Sequence, residues 1–125
     1  MIAYTMLGTN DLDRAAAFYD ALLKEMGVGR AFDSDRYVNY SRGDGSAAFV
    51  ITKPFDGQPA TVGNGVMVAL ATRLPEDVDR LHKKALELGA TDEGAPGPRG
   101  PRFYCGYFRD LDGNKLNLFA LLPQD

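Results

Sequence analysis

The sequence gives metal or nucleophile chemistry little to draw on. It holds one histidine, His82, and one cysteine, Cys105. Transition-metal sites are built from imidazole, thiolate and carboxylate. The acidic residues fall mostly in apparent turns and helices, so a Zn²⁺ or Fe²⁺ site is hard to assemble. A single cysteine excludes an intramolecular disulfide. No apolar run approaches the ~20 residues of a membrane span. Met1-Ile-Ala-Tyr4 lacks a basic region and an apolar signal core, which points to the cytoplasm. Basic charge is also short: 14 Lys and Arg stand against 17 Asp and Glu, a net −3. Non-specific nucleic-acid binding needs clustered cations and is not expected.

What remains is the composition of one globular domain. Apolar residues make up 45% and charged residues 25% of 125 positions. A domain of this size buries roughly two thirds of its unfolded surface.

The periodicities then repeat. Residues 2–9 alternate as a strand. Asn10 and Asp11 are good N-caps. Leu12, Ala15, Ala16, Tyr19, Leu22, Leu23 and Met26 recur at helical spacing, and Gly27 supplies the stop. Residues 28–32, 37–42 and 47–52 read as three strands. Residues 53–65 are rich in Gly, Pro and Asn and read as a linker.

Residues 66–72 open a second copy. Pro75 starts a helix with the stripe Val78, Leu81, Ala85 and Leu88. A short strand near Thr91 follows. Residues 94–102 read as a loop, because three prolines and three glycines oppose a ladder. Residues 103–109 and 114–121 are strands around an Asp110–Gly113 turn. The order is β-α-β-β-β, linker, β-α-β-β-β: a first module at 1–53, a linker at 54–65 and a second module at 66–125. Tyr40-Ser-Arg-Gly-Asp-Gly matches Tyr107-Phe-Arg-Asp-Leu-Asp-Gly, an offset that pairs Val50 with Asn117 and Tyr37 with Tyr104.

Four stretches carry a resemblance. They are Tyr4-Thr-Met-Leu-Gly-Thr-Asn-Asp-Leu, Ala17-Phe-Tyr-Asp-Ala-Leu-Leu, Gly63-Asn-Gly-Val-Met-Val-Ala-Leu-Ala and Tyr107-Phe-Arg-Asp-Leu-Asp-Gly-Asn-Lys-Leu. The chain resembles the vicinal-oxygen-chelate superfamily of glyoxalases, bleomycin-resistance proteins and extradiol dioxygenases. The resemblance implies an α+β fold. Two βαβββ modules would form a curved, mixed sheet of eight strands around a cavity, with the helices outside. It also implies a homodimer, sometimes with modules exchanged.

Metal-using members place His, Gln or Glu at four strand positions. Matched motif to motif, these fall on Tyr4, Val50, Met67 and Asn117. A phenol, an alkyl group, a thioether and a neutral amide do not make a competent divalent site. The expectation is therefore no metal, no other cofactor and no catalytic residue.

Strand alternation then suggests a lining. With Arg109 opposite Asn114, Gly106 would face Asn117 and Tyr104 would face Phe119, while Leu116, Leu118, Cys105 and Tyr107 turn toward the helix. Asn39 and Tyr37 would mirror Gly106 and Tyr104. The expected ligand-binding residues are Tyr4, Met6, Tyr37, Asn39, Val50, Met67, Tyr104, Asn117 and Phe119. Such a lining suits a planar or apolar molecule.

Each residue also has a plainer reading. Asn117 could bond a core neighbour, the methionines could fill the core, and Tyr4 and Tyr104 could be ordinary strand aromatics. His82 is expected on the solvated side of its helix, and Cys105 as a small buried hydrophobe. Arg99 and Arg102 could clamp an anionic ligand, although a solvated loop is the simpler reading.

Three functions compete. The first is a bleomycin-resistance-like protein that has lost its metal ligands and binds a small aromatic or apolar molecule. The alternative is a glyoxalase-like lyase or isomerase acting on a small oxygenated substrate, with or without a divalent metal. The third is a dimerisation scaffold.

Overall fold

The computed structural model describes residues 1–124. The elements are β1 (Tyr4–Gly8), α1 (Leu12–Lys24), β2 (Gly29–Asp33), β3 (Tyr37–Ser41), β4 (Ala48–Thr52), β5 (Val68–Ala71), α2 (Pro75–Glu87), β6 (Thr91–Arg99), β7 (Phe103–Arg109) and β8 (Lys115–Leu121). This is the βαβββ unit twice over. Two compact units divide between Gly63 and Asn64. The eight strands hydrogen-bond as two sets of four, ordered β1-β4-β3-β2 and β5-β8-β7-β6. Each set is mixed: β1 runs parallel to β4 and β5 parallel to β8, and the other pairs are antiparallel.

In the first unit, Asp11 is extended and its carboxylate accepts from the Arg14 N–H at 3.1 Å, which caps α1. The buried face is Leu12, Ala15, Ala16, Phe18, Tyr19, Leu22 and Leu23. Gly27 takes the left-handed conformation at φ 71° and ends the helix. Tyr19 packs on Phe49 of β4 with ring centroids 4.8 Å apart. The helix therefore covers the sheet face that carries Leu7, Val38, Tyr40, Phe49 and Ile51, all buried.

A polar tie crosses this face. Tyr40 donates its O–H to Asp20 at 2.8 Å, and Arg30 reaches both oxygens of Asp20 at 2.8 and 2.9 Å. The Arg30 fork holds the Asp20 carboxyl below its usual range. Burial, followed by the bond to Asp20, pushes the Tyr40 phenol up.

In the second unit, Pro75 opens α2, and the Asp77 carboxylate reaches back to the Leu74 N–H at 3.1 Å. Val78, Leu81 and Ala85 are buried as their spacing predicts, but so is His82. The expectation of a solvated His82 is corrected. Val78, His82 and Ala85 stand at i, i+4 and i+7, one face of a helix. The His82 Nε2 lies 3.1 Å from Asp92 Oδ1 and 3.1 Å from the Tyr107 carbonyl. Both are acceptors, so that nitrogen carries the proton. The ring thereby ties α2 to β6 and β7.

Gly106 lies beneath this ring. A Cβ there would come within 3.3 Å of His82 Cδ2 and of Pro96 Cγ.

Two further corrections concern strands. The short strand expected near Thr91 runs on to Arg99, so residues 94–99 are strand and not loop. β6 is an edge strand, so it needs a ladder on one side only, and its pairing slips at Asp92/Gly94 and Gly94/Gly97. Edges and bulges are where prolines are tolerated. The β7–β8 register is also one residue off expectation. Arg109 pairs with Lys115, Tyr107 with Asn117, Gly106 with Leu118 and Cys105 with Phe119.

The turn explains the slip. The Gly113 N–H bonds the Asp110 carbonyl at 3.0 Å, and Gly113 adopts φ 89°. A tight turn followed by a left-handed glycine adds one residue to a hairpin loop. The Asp110 carboxylate gathers the N–H groups of Asp112 and Asn114, and the Asn114 amide as well. A one-residue slip reverses every side chain on the affected strand.

Candidate functional site

Each sheet has one face under its helix and one facing away, called here the open face. In the first unit the open face carries Tyr4 and Met6 from β1, Tyr37 and Asn39 from β3, and Val50 from β4. The pairs Met6–Val50 and Asn39–Val50 place three of them side by side. Tyr4 is 57% and Met6 52% exposed, while Val50 is buried. Phe32 meets the Tyr37 ring edge-on at 6.0 Å.

In the second unit the open face carries Ala69, Phe103, Cys105, Tyr107, Lys115, Asn117 and Phe119. Asn117 lies between Ala69 and Tyr107. Met67 precedes the first residue of β5 and is partly exposed. Tyr104 is on the other face. Its O–H reaches Asp79 of α2 at 2.7 Å, and that bond, with burial behind it, raises the phenol. The expected pairings of Tyr104 with Phe119 and of Gly106 with Asn117 are thus replaced by Cys105 with Phe119 and Tyr107 with Asn117.

The repeat correspondence changes in the same way. Val50 and Asn117 do occupy equivalent places, each between a parallel first strand and an antiparallel third strand. Tyr37 pairs with Thr52, however, so its counterpart is Cys105 and not Tyr104, and Asn39 answers to Tyr107.

Asn117 stands out chemically. It is 3% exposed, and its Oδ1 is buried with no hydrogen-bond partner. Buried amide oxygens are nearly always satisfied, and leaving one unmet costs about 1–3 kcal/mol. Tyr107, directly opposite, has the Arg99 guanidinium 5.5 Å and the Lys115 ammonium 5.4 Å from its ring centroid. Phe103 and Phe119 form an aromatic pair at 5.4 Å farther along the strands.

The sequence reading missed Tyr107. The signal that would have found it is Gly113, whose left-handed turn sets the register. Surface pockets of about 310 Å³ open elsewhere in the first unit, one of them beside Thr9, Arg36, Lys53 and Gln58. None of the expected site residues lines it.

The four positions matched to metal ligands hold Tyr4 and Val50 in one unit and Met67 and Asn117 in the other. No group of three or more His, Cys, Asp or Glu is placed to hold an ion among the described residues.

The doubled βαβββ topology defines a class, and the comparisons agree. Residues 1–118 match the model of the Glyoxalase/Bleomycin resistance protein/Dioxygenase superfamily, and the chain belongs to that family. A glyoxalase/bleomycin resistance protein from Albidiferax ferrireducens T118 is 38% identical. The alignment spans 98% of this chain and 99% of that one, with a TM-score of 0.89. A hypothetical protein from S. aureus is 26% identical over 96% of this chain and 92% of its own, with a TM-score of 0.75. A family enzyme from Burkholderia phytofirmans PsJN shares the fold at 19% identity, with a TM-score of 0.78 over 96% and 98% of the two chains. No curated protein matches the chain. No helix is long and apolar enough to cross a membrane.

Proposed function

We propose that this chain is a binding member of the family that works without a resident divalent metal and takes up a small aromatic or apolar molecule. The observation that carries the reading is the unpartnered, buried amide oxygen of Asn117. It stands where the family resemblance places a metal-ligating carboxylate. An amide there cannot anchor a divalent ion by charge, but it accepts one hydrogen bond from a ligand. The aromatic residues on the same face, Tyr107, Phe103 and Phe119, supply surface for a flat partner.

Two measurements test this together. A thermal-shift screen of small aromatic compounds is expected to yield stabilisation that grows with ligand concentration, as linkage requires. Metal analysis of the purified protein is expected to find less than one equivalent of Zn, Mn, Fe or Ni. A flat screen would remove the binding reading. Stoichiometric metal would favour a glyoxalase-like lyase or isomerase. The same reading expects a homodimer, to be checked by light scattering on a sizing column.

A further inference from the structure

We propose that the open face of the second sheet selects a small planar carboxylate that brings its own hydrogen-bond donor. This rests on the binding function above and specifies the charge and shape of its ligand.

Three observations within one unit combine. The first is the buried, unpartnered Asn117 Oδ1. An oxygen acceptor calls for an N–H or O–H on the ligand.

The second is an excess of positive charge beside it. The side chain of Lys115, the next residue on the same face, makes no hydrogen bond or ion pair among the described residues, and its ammonium lies 5.4 Å from the Tyr107 centroid. Arg99 adds a second cation at 5.5 Å. Its guanidinium donates to the carbonyls of Ala95, Gly97 and Pro98, at 2.8, 3.0 and 3.3 Å. Those bonds fix the group in place, yet neutral carbonyls leave its charge uncompensated. The neighbouring Arg109, by contrast, is paired with Glu93 at 3.1 Å.

The third is that the cationic shelf is built into the backbone. A Cβ at Gly97 would stand 3.3 Å from Arg99 Nη1. A Cβ at Gly94 would stand 3.0 Å from Tyr107 Cδ2 and 3.6 Å from Arg99 Nη2. The glycines of β6 make the room in which Arg99 turns back over Tyr107.

The order of the groups sets the ligand's pattern. Lys115 and Asn117 are successive residues on one face, and Tyr107 stands opposite Asn117. A carboxylate toward Lys115, a flat ring against Tyr107 and a para hydroxyl or amine toward Asn117 match that order.

Three probes separate the parts. They are 4-hydroxybenzoate, benzoate without the donor, and 4-hydroxybenzamide without the charge. Binding is followed by calorimetry and by the side-chain amide resonance of Asn117. The hydroxy acid is expected to bind up to about tenfold more tightly than benzoate, the most that one neutral hydrogen bond supplies, and at least about tenfold more tightly than the amide, which lacks the charge-assisted contact. It is expected to move the Asn117 resonance. Lys115→Gln is expected to erase the preference for acid over amide, and Arg99→Gln to weaken it.

Equal binding of acid and amide at Asn117 would overturn the anion selectivity and leave the binding function standing. Binding of the acid that perturbs other residues instead, or that both substitutions leave unchanged, would overturn the site. Failure of all three probes, together with a flat aromatic screen, would remove both proposals.

Discussion

Tyr107 and Asn117 stand directly opposite each other on adjacent antiparallel strands, and the amide oxygen of Asn117 has no hydrogen-bond partner. Directly opposed residues point to the same side of a sheet, so ring and amide belong to one surface. Replacing an unsatisfied buried amide by an apolar group of similar size removes a desolvation penalty. Asn117→Leu is therefore expected to stabilise the chain by about 1 kcal/mol in urea unfolding, while abolishing the binding of donor-bearing ligands. A loss of stability would show that the amide has a partner in solution. The trade is the usual one at functional positions.

Gly106 tests the packing of α2. An added Cβ would press on the His82 ring, the Pro96 ring and Val78 at 3.3–3.5 Å. Two of these are rigid rings in a close-packed layer. Gly106→Ala is expected to cost about 1–3 kcal/mol, the usual range for overpacking, read from the urea midpoint at unchanged slope.

Asp110 tests the turn that sets the register. Its carboxylate accepts from the Asp112 and Asn114 N–H groups at 2.9 Å each and from the Asn114 amide at 3.0 Å. Both Asp110 and Asn114 are buried. Asp110→Ala leaves these donors unmet and is expected to lose about 2–4 kcal/mol. Amide exchange should accelerate first at the 109–115 end of the hairpin.

Asp20 gives a pH signature. The Arg30 fork lowers its folded pKa. The folded chain thus binds this proton less readily than the unfolded chain. The stabilisation is complete above the ordinary carboxylate pKa of about 4 and is lost as pH falls through the lower folded value. Both partners are partly exposed, so the effect is small and weakens with salt. Asp20→Asn is expected to lower the melting temperature at pH 6 and to converge with the parent as pH falls through the lowered folded pKa. Parallel melting curves across that range would show the tie contributes nothing.

Much of the fold was legible because hydrophobic spacing speaks locally. Leu12 to Leu23 announces a helix at every third or fourth position, and Asp11 and Gly27 mark its ends. The repeat was legible for the same reason, down to the equivalence of Val50 and Asn117. Three things escaped. The β7–β8 register depended on one left-handed glycine, Gly113, and a single residue of loop length reverses a face. β6 was hidden by its prolines, since an edge strand needs only half the ladder that a central one needs. His82 was misplaced because Lys83 and Lys84 dominate its neighbourhood in sequence, while its helical neighbours are Val78 and Ala85. Of the site, Asn117 was legible as a polar residue mid-strand. Its lack of a partner and the two cations around Tyr107 were not, because they depend on pairing between strands.

The prolines of β6 have an outcome beyond the site. An uncovered rim invites a neighbouring molecule's extended segment to zip on, residue by residue, the first step toward fibrils. Pro96 and Pro98 carry no amide hydrogen, and the bulges around Gly94 and Gly97 bend the line of those that remain. The chain that cradles Arg99 is for the same reason a poor template, so this border should resist runaway growth even at high concentration.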